Sequence, residues 1–340
     1  MPYSVSVPGR VNLIGEHIDY LGYAVLPMAI QRRITLDFTP RLDRTISVRS
    51  EAYGTRTFDW QPELIPYAQG DFGNYIKAAA LAVGQRWGVG PGFEGVVTGT
   101  IPAAAGLSSS SALVTAVTLA LLQVQGIEPD FEALMEVLPE GERYVGTRGG
   151  GMDHAVCLAG RAGCALRIGF EPVTVAPEPV PETWAFFVAH SLQRAEKSGA
   201  ARAAYNHKRA LAQAGDPAAL RHAWSERDRV GQAIEAMRRA DIGRFGELLH
   251  ASHASLRDDL EVSCEKADAL VMACRAAGAP GARIMGAGFG GYVLGVCERR
   301  HRDEMLARLE HDHFRRLPER EAFPDYLLAV EASDGALQLL

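Results

Sequence analysis

The sequence lacks a cysteine framework and an excess of basic charge. Its 340 residues include only 5 cysteines, at positions 157, 164, 264, 274 and 297, with no CxxC pair. An odd number excludes a fully paired intramolecular disulfide set, and the spacing excludes a zinc site. The 35 Lys and Arg residues are fewer than the 41 Asp and Glu residues, and the net charge of -6 is the wrong sign for a nucleic-acid surface. We expect reduced thiols and no nucleic-acid partner.

Long apolar runs and a targeting segment are also missing. The most apolar stretch, residues 112–122, is much shorter than the roughly 20 residues needed to span a bilayer. No charged segment followed by an apolar run opens the chain, so a secretory signal is not indicated. We expect a cytoplasmic protein without membrane contacts, present as a monomer or a weak homodimer.

Strand and helix patterns alternate in the first half of the chain. Apolar and polar residues alternate over residues 34–38, which predicts a strand, and residues 93–98 have a similar pattern. Apolar residues recur at helical spacing over residues 74–83 and 108–124. The order around Gly106 is therefore strand, glycine turn and helix.

The second half is predicted to be mainly helical. Residues 197–277 are rich in Ala, Arg, Glu and Leu, which predicts several helices, and residues 282–297 have a strand and turn pattern. A chain of this length is long for a single core, so we expect two domains. The proline-dense segment at residues 171–182 marks the boundary, giving an amino-terminal domain of residues 1–175 and a carboxyl-terminal domain of residues 176–340.

The strongest local motif is a glycine followed by four serines, residues 106–111 (GLSSSS), at the predicted start of a helix. The unpaired N–H groups and positive dipole end of a helix amino terminus bind anions, and Gly106 lets the backbone approach a phosphate closely. A serine hydroxyl there can also ligate magnesium. The alternative is that serines only cap a buried helix, which needs one serine and not four. The motif therefore favours a phosphate site.

A second glycine cluster, residues 286–291 (GAGFGG), formally matches the GxGxxG pattern. A dinucleotide fingerprint opens a helix, whereas residues 292–297 have a strand pattern. We therefore predict a glycine-rich hairpin that packs closely against a ligand or another loop. A tight turn without a ligand is the alternative.

Residues 9–20 (GRVNLIGEHIDY) concentrate Arg, Asn, Glu, His and Asp within an otherwise apolar stretch. Such a density of hydrogen-bonding groups suits a polyhydroxylated ligand, because each hydroxyl needs a fixed donor and acceptor. A metal site at Glu16 and His17 is a rival interpretation, but neighbouring side chains in a strand point to opposite faces. A solvated charged surface is the other alternative.

In this order and at these separations, the three motifs resemble those of the GHMP kinases, and residues 9–20 are similar to the signature of the galactokinase branch. The resemblance runs through nearly the whole chain. It implies a two-domain α+β GHMP kinase fold, with an amino-terminal domain like domain 2 of ribosomal protein S5 and a ferredoxin-like carboxyl-terminal domain. It also implies a kinase that uses ATP and magnesium (Mg2+) to phosphorylate galactose at its anomeric C1 hydroxyl.

The resemblance implies roles for individual residues. Arg10 stands at the position of the family's transition-state arginine, and Asp153 at that of its catalytic base. The sugar-binding positions correspond to Glu16, His17, Asp19, Gly150 and Tyr205. The ATP-binding positions correspond to Gly106, Leu107, Ser108, Ser109, Ser110 and Ser111. The implied magnesium ligands are Ser110 and Glu142, with the family's acidic residue usually one position earlier, where Gly141 stands.

Departures from the galactokinase pattern leave the acceptor open. Ile18, Leu21 and residues 142–153 are closer to N-acetylgalactosamine kinases, whereas Tyr205 is the galactokinase choice, and residues 197–202 match neither. N-Acetylgalactosamine, galacturonate and arabinose are therefore alternatives to galactose. A catalytically silent sugar sensor and a serine hydrolase are further alternatives; the intact serine loop disfavours the first, and the absence of a Gly-x-Ser-x-Gly elbow disfavours the second.

The mechanism implied by the resemblance depends on two residues. Phosphoryl transfer requires mainly positioning and charge neutralisation. Asp153 would accept the proton of the C1 hydroxyl, while Arg10 holds Asp153 ionised and neutralises charge on the transferred group. Without the other motifs, Asp153, which follows three glycines, would instead be interpreted as a helix cap.

Overall fold

The computed structural model describes residues 3–102, 106–146, 150–193 and 200–340, the last range without the side chains of residues 200–202. Strands in this part of the chain are β1 (Tyr3–Ile14), β2 (Leu26–Pro40), β3 (Thr45–Ser50), β4 (Gly54–Asp59), β5 (Phe93–Gly99), β6 (Cys164–Gly169), β7 (Thr174–Pro179), β8 (Trp184–His190), β9 (Gly281–Ile284), β10 (Tyr292–Glu298) and β11 (Leu327–Val330). Helices are α1 (Gly73–Trp87), α2 (Ser109–Gln125), α3 (Phe131–Tyr144), α4 (Met152–Ala159), α5 (Ala200–Gln213), α6 (Pro217–Arg238), α7 (Ile242–Asp258), α8 (Glu265–Ala276) and α9 (Arg302–Asp312). The mixture confirms the predicted α+β class.

The first half folds around a five-stranded sheet in the order β1-β2-β5-β3-β4, in which only the β3–β5 pair is parallel. Helix α2 lies against β1 and β2, and α1, α3 and α4 pack around it. Every residue of α2 from Ser111 to Leu122 is buried, because the helix is apolar on all sides. The amino end of α2 is therefore fixed in the middle of this half. The predicted helices at 74–83 and 108–124 and the predicted strand at 93–98 are confirmed.

Strand β1 is irregular where it carries polar residues. Its pairing with β2 shifts register between Pro8 and Arg10 and again between Asn12 and Ile14. Proline has no N–H to give to a sheet, so it is placed at such irregularities, and a bulge re-aims the side chains that follow it. The first shift precedes Arg10, whose side chain extends toward α4 and the loop before α2.

The second half contains an antiparallel sheet in the order β11-β8-β10-β9, with α7 and α8 packed against β9. The GAGFGG segment joins β9 to β10, so a strand and not a helix follows it, as predicted. Four of its glycines have positive φ, from 76° at Gly286 and Gly291 to 134° at Gly290, and this conformation is strained for other residues. The backbone conformation of the hairpin therefore explains why these four positions are glycine.

The end of the chain returns to the first half. Ala332 pairs with Ile30 of β2, and the Gly335 N–H donates to Gly160 O at 2.8 Å. The predicted boundary at residue 175 lies inside β7, and β6, its hairpin partner, bridges to Val25. The division into residues 1–175 and 176–340 stays a prediction.

All five cysteines are free thiols. Burial raises the pKa of Cys157 well above its ordinary value, that of Cys274 to about 12 and that of Cys297 to about 11. These buried thiols are protonated and unreactive at neutral pH. Among the helices of the described residues, none is both long and apolar enough to cross a membrane.

Candidate active site

Arg10, which is buried, and Asp153, which is partly exposed, form an ion pair across 143 residues of sequence. Arg10 Nε donates to Asp153 Oδ1 at 2.8 Å, and a second guanidinium nitrogen lies 2.8 Å from the same oxygen. Only 3% of Arg10 is exposed. Burial alone would lower the pKa of Arg10, but the charges of Asp153 and Glu16 raise it, and the net shift is upward. Arg10 is therefore a permanent cation beside the Asp153 carboxylate.

Ser108 contacts the other oxygen of this carboxylate. Its hydroxyl donates to Asp153 Oδ2 at 2.5 Å. Ser108 is the residue before α2, with φ 59°, and its side chain makes no capping hydrogen bond. Gly151, and not Asp153, occupies the cap position of α4. The capping interpretations of Ser108 and of Asp153 are thus wrong, and the Ser108–Asp153 contact was not predicted from the sequence.

The loop before α2 is held by β1. Arg10 Nη1 donates to Gly106 O at 2.5 Å, and the Arg10 backbone N–H donates to Leu107 O at 3.2 Å. Leu107 is 1% exposed and anchors the loop in the core, whereas Ser109 and Ser110 in the first turn of α2 are partly exposed. The unpaired N–H groups of a first helical turn and two accessible hydroxyls can bind an anion. Residues 103–105 lie outside the described residues.

The glycine-rich hairpin lies beside this loop. A Cβ atom added to Gly286 would lie 3.7 Å from Gly106 O, and one added to Gly9 would lie 2.8 Å from Leu107 O. The phosphate-binding loop predicted from the sequence thus lies close to both β1 and the hairpin. The close approach of the two glycine motifs agrees with the prediction that the hairpin packs against another loop.

Glu142 lies behind the serine loop, on α3. Ser111 Oγ donates to Glu142 Oε1 at 2.5 Å, and His154 Nε2 lies 3.5 Å from the same oxygen. Ser111 is 0% exposed and Glu142 is 8% exposed. Ser110, the preceding residue in the first turn of α2, is more accessible. The acidic residue is therefore next to the serine loop although it stands one position later than in the family pattern.

The donor set at Ser110 and Glu142 fits magnesium. Hydroxyl and carboxylate oxygens are hard ligands, and Mg2+ usually binds one or two carboxylates together with water and substrate phosphates. The described ranges contain no group of three or more His, Cys, Asp or Glu residues that could hold a metal ion without help. A magnesium ion here would therefore depend on the phosphates of a nucleotide.

Glu16 and His17 lie in a turn after β1, not in a strand. The expectation that they point to opposite faces of a strand is wrong, because Gly15 with φ 104° and His17 with φ 59° turn the chain away from the sheet. Both side chains reach the glycine-rich hairpin. Glu16 Oε1 accepts the Gly286 N–H at 2.7 Å, and His17 Nε2 lies 3.2 Å from Ala287 O.

The environment of His17 sets its tautomer. Burial, and then the nearby His222, lowers the pKa of His17 to about 3, so the imidazole is neutral with one donor and one acceptor nitrogen. The Ala287 carbonyl only accepts, so Nε2 carries the hydrogen and donates to it. Nδ1 then accepts from the Tyr20 hydroxyl at 3.2 Å. His17 is held in one orientation.

Asp19 and Gly150 contact each other closely. Asp19 Oδ2 accepts the Gly150 N–H at 3.0 Å. A Cβ atom on Gly150 would lie 2.6 Å from that oxygen, so only glycine fits. Burial, and then the charge of Asp153, raises the pKa of Asp19 to about 6. Asp19 and Asp153 thus share one poorly solvated region.

Tyr205, on α5, packs against the same turn. Its ring centroid lies 5.2 Å from that of His17 and 6.1 Å from that of Tyr20. Burial raises the pKa of Tyr205 well above its ordinary value, so the phenol is neutral. The three rings form an aromatic wall at the turn after β1. Tyr205 of α5 therefore contacts the turn that carries His17.

Comparisons with known proteins agree with this arrangement. The models "GHMP kinases N terminal domain" and "GHMP kinases C terminal" match residues 74–161 and 233–316. The fold and the site thus define a GHMP kinase. The model "Galactokinase galactose-binding signature" matches residues 2–40, and a galactokinase of Roseiflexus sp. (strain RS-1) is 34% identical over 91% of this chain and 87% of that protein. The chain belongs to the galactokinase family.

Solved structures give the same result. The crystal structure of Lactococcus lactis galactokinase complexed with galactose has a TM-score of 0.86 and 26% identity, covering 98% of this chain and 94% of that one. The Methanococcus jannaschii mevalonate kinase has a TM-score of 0.75 at 17% identity, covering 98% of this chain and 99% of that one, and shares the fold. The predicted family and the predicted GHMP kinase fold are confirmed.

Proposed function

We propose that the protein transfers the γ-phosphoryl group of ATP to the anomeric C1 hydroxyl of galactose. The observation that carries the proposal is the partly buried Arg10–Asp153–Ser108 cluster, which joins the serine loop to the region of Asp19. Galactose as acceptor is supported by the match to the galactose-binding signature and by the likeness to a galactokinase whose structure contains galactose.

In this proposal Asp153 is the proton acceptor. It takes the proton of the C1 hydroxyl while O1 bonds to the γ-phosphorus, and the bond from that phosphorus to the β–γ bridging oxygen breaks to release ADP. Arg10, which contacts Asp153 at 2.8 Å, favours the ionised carboxylate and neutralises negative charge on the transferred group. The Ser108 hydroxyl orients the second carboxylate oxygen.

The phosphates and magnesium would bind at the start of α2. The backbone N–H groups and hydroxyls of residues 106–111 would bind the ATP phosphates. Ser110 and Glu142 would hold Mg2+, with Ser111 positioning the Glu142 carboxylate through its 2.5 Å hydrogen bond. When bound, the ion neutralises phosphate charge during the transfer.

The sugar would bind where the turn after β1 meets α5. The carboxyl groups of Asp19 and Glu16 offer acceptors for hydroxyl groups. The His17 ring and the Gly150 N–H, which are already paired with Ala287, Tyr20 and Asp19, would orient these groups around the sugar. The apolar ring of Tyr205 would pack against the sugar. We also propose that the protein acts in the cytoplasm as a monomer or weak homodimer, which the five free thiols support for the compartment.

A panel of free sugars tests the proposal. Galactose, N-acetylgalactosamine, galacturonate and arabinose are each incubated with ATP and magnesium, and ADP release is measured. Galactose should give the highest kcat/KM, and phosphorus NMR should place the new phosphate on C1. If ADP release is highest with another sugar, that sugar is the acceptor instead of galactose. No release with any sugar would favour a silent sugar sensor.

A further inference from the structure

Helix α6 carries a buried carboxylate that contacts the turn after β1, and the proposed mechanism does not use it. Glu226 is 0% exposed, and its Oε1 accepts the Gly15 N–H at 2.9 Å and the Ser252 hydroxyl at 2.8 Å. Its Oε2 accepts from Arg229 Nε at 2.6 Å. Burial would raise the pKa of Glu226, but its partner Arg229 and the nearby Arg283 hold the pKa below its ordinary value. Glu226 is therefore ionised.

His222 lies one turn earlier on the same face of α6. Its Nε2 is 2.9 Å from Glu16 O, and its Nδ1 is 2.9 Å from Ser255 Oγ. Burial lowers the pKa of His222, so the ring is neutral, and the nitrogen facing the carbonyl is the donor. Glu226 thus binds the Gly15 N–H, and His222 binds the Glu16 carbonyl.

The turn needs such support. Gly15 and His17 both have positive φ, at 104° and 59°, and a histidine in this conformation persists only when its surroundings fix it. The two α6 contacts fix the backbone on either side of Glu16. We infer that Glu226, assisted by His222, is a positioning residue for sugar recognition, because it holds the backbone that presents the Glu16 and His17 side chains. This inference depends on the proposed function only for the identity of the sugar.

A matched control separates positioning from simple packing. Glu178, on β7, is 5% exposed and accepts from two Arg238 nitrogens at 3.1 and 2.8 Å. This pair is also a buried carboxylate bound to an arginine of α6. Arg238 follows Glu226 by three helical turns, about 18 Å along the axis. Glu178→Gln therefore removes a comparable ion pair far from the sugar turn.

Glu226→Gln keeps the shape of the side chain and removes its charge. In one orientation of the amide its NH2 group faces Arg229 Nε, and in the other it faces the Gly15 N–H and the Ser252 hydroxyl, so a donor always meets a donor. We expect the KM for galactose to rise about tenfold, because a hydrogen bond to a charged group is lost. The KM for ATP and kcat should change by less than about twofold.

Hydrogen exchange supplies a readout that needs no substrate. The amides of residues 15–17 should exchange about tenfold faster in Glu226→Gln than in the wild type, whereas Glu178→Gln should change neither their exchange nor the galactose KM. Unchanged exchange at residues 15–17, or a galactose KM equal to that of Glu178→Gln, would overturn the inference.

Two further comparisons keep the outcome clear. If Glu226→Gln does not fold, His222→Asn tests the same backbone, because the shorter side chain loses the hydrogen bond to Glu16 O. This variant should also raise the galactose KM and speed the exchange of residues 15–17. Wild-type values of both would overturn the inference. If the wild type does not phosphorylate galactose, the proposed function fails, while hydrogen exchange still decides whether Glu226 positions the turn.

Discussion

Replacing Asp19 by asparagine should stabilise the folded protein at neutral pH while weakening sugar binding. Burial of the Asp19 carboxyl, and then the charge of Asp153, raise the pKa of Asp19 from 3.8 to about 6. At pH 8 the folded protein must hold both carboxylates ionised in one poorly solvated region. Asparagine carries no charge, and its amide oxygen can still accept the Gly150 N–H that Asp19 accepts at 3.0 Å.

The size and sign of the effect follow from the pKa of Asp19 in the two states. Between its unfolded pKa of 3.8 and its folded pKa of about 6, the folded protein binds a proton that the unfolded chain does not bind. The free energy of unfolding therefore falls as pH rises from 3.8 to about 6, by about 3 kcal/mol in total, and this contribution is constant at higher pH. Below pH 3.8 both states are protonated and the loss disappears. Asp19→Asn has no such loss at any pH.

Urea unfolding of both proteins at about pH 4, 6 and 8 measures the difference. Asp19→Asn should be more stable than the wild type by about 3 kcal/mol at the highest pH and nearly equal to it at the lowest. Asp37→Asn, which removes a carboxyl that is exposed on β2, is the control for the loss of a carboxylate without burial. The galactose KM of Asp19→Asn should rise at the same time. A stability difference that does not grow with pH would refute the reasoning.

Three other substitutions test separate parts of the site. Asp153→Asn should lower kcat about a thousandfold while calorimetry shows nearly unchanged ATP binding; full activity would exclude the proton-acceptor role. Ser110→Ala should raise the magnesium concentration for half-maximal rate about tenfold, and an unchanged magnesium titration would exclude Ser110 as a ligand. Gly150→Ala should raise the galactose KM, because the new Cβ would lie 2.6 Å from Asp19 Oδ2. Gly231→Ala on α6, with open space around the added Cβ, is the control. Equal galactose KM values for Gly150→Ala and Gly231→Ala would contradict the steric argument.

Features that depend on local chemistry were predictable from the sequence. A serine-rich turn before an apolar helix and a glycine cluster followed by a strand pattern each correspond to one short segment of backbone. The structure has α2 starting at Ser109 and a hairpin ending at β10, as those patterns predicted. The Arg10–Asp153 pair could be expected only from the family resemblance, because no local pattern relates residues 143 positions apart.

Features that depend on tertiary contacts were not predictable in this way. The sequence indicated that Glu16 and His17 lie between strand-like segments, but only the positive φ of Gly15 shows that the sheet has already ended there. Arg283 is fully buried in β9 and donates to Leu13 O at 2.9 Å and to Asn12 O at 2.5 Å. An arginine within a buried strand is unusual, and such a residue in an apolar strand pattern indicates a buried polar partner.

The reason for these buried charges is the irregular end of β1. Where a strand bends out of its sheet, its peptide groups lose their partners, and a buried unpaired N–H or C=O group is costly. The second half of the chain supplies the missing partners: Arg283 binds the carbonyls before the turn, Glu226 binds the Gly15 N–H, and His222 binds the Glu16 carbonyl. Contacts from α6 and β9 therefore satisfy the backbone of residues 12–16, and both halves of the chain contribute to the candidate site.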